Sequence, residues 1–197
     1  NPSYKFAEAE GWSTASESIE VWSDEMTRDL GVQADAKNTA SDGNQFIELN
    51  DVPSDVFADA GNICRSVPTE LGKVYELTFD SSGRPGYDAT VNCFEVSVDG
   101  KQLGSYQYDM TDETNHEWQK NTVEFVGTGE PMQIVFAETS NNDHDYGRGV
   151  SLDNISLVDT GFVEAPRDLP STVAPSDKPD VEAPTDVPNV EVPTEKP

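Results

Sequence analysis

The chain has 197 residues, 35% of them hydrophobic, and carries 12 Lys and Arg against 38 Asp and Glu, a formal net charge of −26. So acidic a surface excludes nucleic acid as a natural partner, because phosphate backbones need a basic face, and it disfavours anionic membranes. No apolar run reaches the ~20 residues of a membrane-spanning helix, and the length suits one domain with an extension.

The first residue is Asn1, without Met or a signal-like leader, so we expect an excised segment of a larger secreted protein. In chain order, short apolar runs predict strands at 18–22, 45–50, 63–69, 74–80, 92–99, 103–108, 118–126, 133–139 and 151–158. Tyr75, Leu77 and Phe79 repeat at period two, as do Phe94, Val96 and Val98, the mark of strands with one buried face. Turn signals separate many of the runs: Leu71-Gly72, Asp99-Gly100 and Gly127-Thr128-Gly129. No convincing helix interrupts them. Nine short strands in the first 162 residues predict an all-β, antiparallel β-sandwich or jelly roll.

Composition changes after Phe162. Residues 163–197 lack glycine, repeat Val-Glu-Ala-Pro at 163–166 and 181–184, and give Val-Glu-Val-Pro at 190–193. Regular prolines favour an extended polyproline II spacer. This segment holds eight acids and three bases, which leaves −21 on residues 1–162. The acidity therefore belongs mainly to the folded part. We divide the chain into a ligand-binding module, 1–162, and an acidic Pro/Val-rich linker, 163–197.

The connections carry the chemistry. Between two clear strands lies Gly83-Arg84-Pro85-Gly86-Tyr87-Asp88, too long and too functionalised for a bare hairpin turn. Alternation of antiparallel strands should gather the long connections 81–91, 109–117, 140–150 and 23–44 at one end, with the tight turns at the other. Arg84 and Arg148 stand out because bases are scarce. A guanidinium fork matches carboxylates and sugar hydroxyls, or fixes its own loop. Tyr87, Tyr146 and Trp22 offer aromatic faces near the same end, Trp22 alternatively belonging to the core.

Oxygen donors are densest in Asn141-Asn142-Asp143-His144-Asp145. Calcium takes six to eight hard oxygens, so Asp143 and Asp145, helped by Asp88 and Asp80, are candidate calcium ligands; the spacing is not that of an EF-hand. Asn92 and Asn154 read as loop-fixing or capping residues. Cys64 and Cys93 permit one disulfide or two free thiols. With no Gly-x-Ser-x-Gly, phosphate loop or His-Glu-x-x-His, the sequence gives no basis for catalysis.

An ordered set of residues adds a resemblance. Gly43-Asn44-Gln45-Phe46-Ile47-Glu48-Leu49, Gly72 to Phe79, Ser82-Gly83-Arg84-Pro85-Gly86, Asn92 to Val96, Trp118 and Tyr146-Gly147-Arg148-Gly149-Val150-Ser151-Leu152-Asp153-Asn154-Ile155 resemble the galactose-binding-like jelly-roll modules of large bacterial RTX adhesins secreted by type I systems. Related modules occur in DUF642-type proteins and among carbohydrate-binding modules. The resemblance implies a non-catalytic, calcium-dependent extracellular module on a bacterial surface, binding a cell-surface glycan or a peptide C-terminus beside neighbouring modules of the same adhesin. Two readings rival it: a calcium-stiffened spacer, or an accessory or catalytic domain of a glycan hydrolase. In such modules an early Glu and an Asp near the last strand hold a structural calcium. Asp153 matches the Asp, but Lys5 stands where the Glu is expected, and an ion pair between Lys5 and Asp153 is the alternative.

Overall fold

The computed structural model describes residues 5–7 (backbone only), 11–14, 19–23, 39–49, 62–140 and 148–162. The backbone divides into Asn1–Val163 and Glu164–Pro197, and all that follows concerns the first unit. The linker 163–197 lies outside the described residues.

Ten strands form among the described residues: β1 (Lys5–Ala7), β2 (Ile19–Ser23), β3 (Gln45–Glu48), β4 (Asn62–Val67), β5 (Lys73–Ser82), β6 (Cys93–Val98), β7 (Lys101–Gln107), β8 (Gln119–Val126), β9 (Met132–Glu138) and β10 (Ser151–Phe162). A six-stranded sheet has the order β1-β2-β3-β10-β5-β8, and a four-stranded sheet β4-β9-β6-β7. The pairings are antiparallel, and no helix appears among the described residues. The fold is an all-β jelly roll. β1 had no counterpart in the sequence reading, because three residues are too few to show alternation.

The period-two runs bury the faces they predict. Leu77 and Phe79 on β5 and Leu152 on β10 meet Phe94 and Val96 on β6 and Ile134 and Phe136 on β9. Phe79 stands edge-on to Phe94 and Phe136, with centroids 6.1 and 5.0 Å away, the arrangement ring quadrupoles favour. At the tight-turn end, Asp99 and Gly100 both take positive φ, 48° and 75°. This is the primed geometry that matches strand twist, and it closes the pair Val98↔Lys101.

Register fixes which connections share an end. Ser151 pairs with both Glu48 and Ser82, so the C-terminal ends of β3 and β5 lie together beside the start of β10. Connections leaving β5, β7 and β9, and the one leaving β3, therefore depart at this end. That corrects one expectation: the segment 23–44 enters β3 from its other end, and parity delivers the 49–62 connection in its place. The described part, Thr39–Asn44, nonetheless lies along the outer face of the six-stranded sheet, beside Trp118, Asp80 and Asp153.

Cys64 and Cys93 are free thiols. They sit on β4 and β6 with β9 between them, and two inter-strand spacings of about 4.8 Å already exceed disulfide reach.

Candidate ligand site at the loop end

β5 leaves the sheet through Gly83, where a Cβ would lie 2.7–2.8 Å from the side chains of Met110, Asn92 and Tyr108. Only glycine fits there. Next, Asn92, fully buried, clamps the loop from inside: its Oδ1 accepts from Arg84 N at 2.7 Å, and its Nδ2 donates to the carbonyls of Arg84 (3.2 Å) and Tyr87 (3.0 Å). The neighbouring β7–β8 connection zips alongside, Gly86 N donating to Met110 O and Met110 N to Tyr87 O. The 83–92 loop is thus held rigidly by main-chain bonds.

That rigidity aims Arg84 across the outer face of the six-stranded sheet. Its Nη1 donates to Glu48 Oε1 at 2.7 Å, and Gly149 N donates to the same oxygen at 3.0 Å. Glu48 is 4% exposed, and Glu20, its cross-strand partner, is buried too. Burial works against the guanidinium charge, but Glu48, with Tyr87 and Glu20 behind it, outweighs burial and raises the Arg84 pKa above its ordinary value. The guanidinium lies 5.7 Å from the Trp22 ring centre and 5.9 Å from that of Tyr87. Arg148 approaches Tyr87 more closely, at 4.8 Å. Tyr87 is therefore flanked by two guanidinium groups, a cation–π arrangement.

The fold thus assembles Arg84, Tyr87, Trp22 and Arg148 from three segments. Tyr146, Asp143 and Asp145 lie outside the described residues. Asp88 borders Tyr87, but its Oδ1 takes the backbone N–H and the hydroxyl of Thr90, at 2.8 and 2.6 Å; those bonds lower its pKa. Asp109 makes the same turn with Thr111.

Asp80 and Asp153 are register partners further along the outer face. Asp153 Oδ2 accepts from Ser41 N (2.8 Å) and Asp42 N (2.9 Å), while Oδ1 accepts from Asn154 N (2.7 Å). Asp80 Oδ2 accepts from the Ser41 hydroxyl and from Asn154 Nδ2. These donors engage both oxygens of Asp153 and one of Asp80, and no group of three potential metal-ligating acids, His or Cys occurs among the described residues. As arranged, Asp80, Asp88 and Asp153 fasten turns. Lys5 is described in its backbone only, so its pairing with Asp153 is outside the described residues.

A second layer covers the outer face. Trp22 and Phe46 lie nearly parallel (6°, 6.4 Å), and His116 and Trp118 stand against Phe46 at 4.9 and 5.8 Å. Trp118 packs here too and donates its indole N–H to Thr39 O at 2.8 Å. Ser151 Oγ lies 3.0 Å from His116 Nε2. Ser151 is only 2% exposed, so this hydroxyl–imidazole pair is a fastening sealed from substrate, not a nucleophile and base.

No protein-family profile matches the chain. No curated protein matches it in sequence. The fold does have solved counterparts. The adhesin domain K1 of Lys-gingipain from Porphyromonas gingivalis W83 is similar over 78% of this chain and 94% of its own, at 12% identity and a TM-score of 0.52. The tandem CBM22-1–CBM22-2 of Xyn10C from Paenibacillus barcinonensis is similar over 82% of this chain and 44% of its own (14%, 0.51). Its CBM22-1 xylan-binding domain alone is similar over 81% and 94% (15%, 0.50). The fold is the jelly roll of carbohydrate-binding modules. At such identities the likeness extends to architecture, not to ligand.

Sequence reasoning did not single out Glu48, Glu20, His116 or Gly149. A signal existed for one: Phe46 and Glu48 alternate on one strand face, so an acid was destined for an aromatic layer and needed a cation. Gly149 had none, since its role depends on a distant segment. A Cβ there would strike the carbonyl of Leu49, and backbone cannot yield as a side chain can. Gly149→Ala should destabilise the protein by ~1–3 kcal/mol and loosen the Glu48 contact; chemical denaturation measures the first, and backbone amide shifts around Glu48 the second.

Proposed function

We propose that this chain is a non-catalytic glycan-recognition module whose ligand site is the loop end around Tyr87. The observation that carries this reading is the Tyr87 ring flanked by Arg84 and Arg148 on a loop locked from within by Asn92. Aromatic faces stack on sugar rings and guanidinium forks bond their hydroxyls, and a pre-ordered loop spares the entropy of binding. The outer face of the four-stranded sheet offers no comparable platform: Cys64, Glu95, Ser97, Val135 and Ala137 share it, with no aromatic among its described residues.

The finer reading is a calcium-dependent module of a secreted bacterial adhesin, facing cell-surface glycans or peptide C-termini. Support for it comes from the sequence resemblance, the Pro-rich linker and the folded part's acidity. Calcium rests on Asp143 and Asp145 in the sequence, because the described carboxylates are already bonded. Its contribution would be to bring positive charge to a site that otherwise repels anionic ligands. A spacer role is favoured by one observation, the commitment of Arg84 to Glu48.

Calorimetry decides between these. Titrating xylo-oligosaccharides, other neutral glycans and peptides with free C-termini, with calcium and with EGTA, should give heats for a glycan that Tyr87→Ala abolishes. Heats unchanged by EGTA remove calcium from the reading. Silence from every ligand with calcium present leaves the spacer.

A further inference from the structure

The β7–β8 connection makes a second use of its aromatic residues, independent of what the loop end binds. Its distal part crosses the outer face and ends in three polar fastenings: His116 Nε2 with Ser151 Oγ (3.0 Å), Glu117 N to Ser82 Oγ (3.0 Å), and Trp118 Nε1 to Thr39 O (2.8 Å). Beneath it lies Phe46, coplanar with Trp22 to within 6°. We propose that residues 111–118 form an acid-released strap, latched over the Trp22–Phe46 pair by His116.

The latch is specific to the uncharged ring. His116 packs edge-on to Phe46 and tilted on Trp118, and its Nδ1 has no hydrogen-bond partner among the described residues. Protonation places a full charge in this packed aromatic setting beside Arg84, and the acceptor nearest to hand, the Thr39 carbonyl, already takes the Trp118 indole N–H and has to be shared. The charged groups on the surrounding elements are Arg84 from the 83–92 loop, Glu48 on β3, Glu20 on β2, Asp80 on β5, Asp153 on β10, Lys120 on β8, and Glu113 and Glu117 on the strap itself. Arg84 acts on the ring, and its cation opposes a second one; Glu48 and Glu20 are engaged with Arg84, and Asp80 and Asp153 with Ser41, Asp42 and Asn154. Burial first, then Arg84, push the His116 pKa down to about 4, with the Thr39 backbone opposing.

The sign follows from linkage. The closed strap binds its proton near pH 4, the open strap near 6.5. Closure is fully favoured above 6.5 and weakens as pH falls toward 4, by roughly tenfold per unit, or on the order of a hundredfold in all. Below 4 the effect levels off. Release bares the Trp22–Phe46 plane to solvent or to a ligand with an apolar face.

Two protons report the latch directly, the Glu117 amide and the Trp118 indole N–H. Hydrogen exchange followed by NMR from pH 7 to 4, corrected for intrinsic rates, should show their protection falling about a hundredfold while core amides of β5 and β9 keep theirs. In His116→Gln, which retains a donor and an acceptor for Ser151, the pH dependence should vanish. Constant protection across that range overturns the proposal, and so does an equal loss in the variant. Should the variant not fold, the imidazole resonances of the unaltered protein decide: a titration near 6.5 overturns the strap, and one near 4 supports it.

Discussion

Replacing Arg84 with alanine should cost about 3–5 kcal/mol at neutral pH, since it strands a buried carboxylate. Glu48 is held by Arg84 Nη1 and Gly149 N, and in the variant only the amide remains. The pH dependence identifies the cause. Without its cation, Glu48 is a buried carboxylate held by one amide, and burial disfavours the charged form. Neutralising that carboxylate removes the penalty, so the variant's deficit should be greatest at neutral pH and shrink on acidification. Urea denaturation of wild type and Arg84→Ala at pH 7 and pH 5 should show the gap narrowing on acidification. A gap independent of pH would mean that lost packing on Trp22 and Tyr87, not lost charge, is responsible.

The double variant Arg84→Met with Glu48→Gln separates stability from recognition. Removing both charges should restore most of the lost stability, since a buried pair seldom outperforms uncharged groups of similar volume. Glycan binding should not return with it if the Arg84 fork touches ligand. A stable double variant that still binds would reduce Arg84 to a scaffold part and leave recognition to Tyr87 and Arg148.

Asn92→Ala carries the second large effect, about 2–4 kcal/mol. One side chain serves three main-chain groups of the 83–92 loop, and its loss leaves several buried polar groups unpaired at ~1–3 kcal/mol each before relaxation. For a domain of this size that is on the order of 10 °C in Tm. Asn92→Asp should be no milder, because it places a carboxylate against two carbonyl oxygens in place of a donor. Differential scanning calorimetry reads the stability. Amide exchange of residues 84–91 tells loop loosening from general destabilisation, which would instead spread through β5 and β6.

The architecture was legible because its signals are local. Alternation in 74–80 and 92–99 marks the buried face of β5 and β6, and Asp99-Gly100 announces a two-residue turn whatever surrounds it. The site was legible only in part. Arg84, Tyr87 and Arg148 drew notice as rare residue types in glycine-flanked connections, and register brings them together. Their partners were hidden for a physical reason: Glu48 meets Arg84 across 36 positions and Gly149 across 101, and separations of that size leave no trace in composition or period. The acids show the same limit from another side. As letters Asp80, Asp88 and Asp153 are only oxygen donors; the hydroxyl, amide and backbone groups that hydrogen-bond to them are not displayed by a sequence.

Strand β10, the last of the described strands, is not at a margin: it is inserted between β3 and β5. Until Ser151–Phe162 is available, two strands that begin 28 positions apart face each other across a gap, each with an open row of amides and carbonyls prone to pairing with another chain. The loop end must wait as well, because Gly149 and Arg148 arrive just ahead of that insertion. Maturation is therefore late and non-local, which makes it slow. A polypeptide emerging N-terminus first would stay threadable through a narrow passage until almost the whole module had cleared it, and would then close in one step.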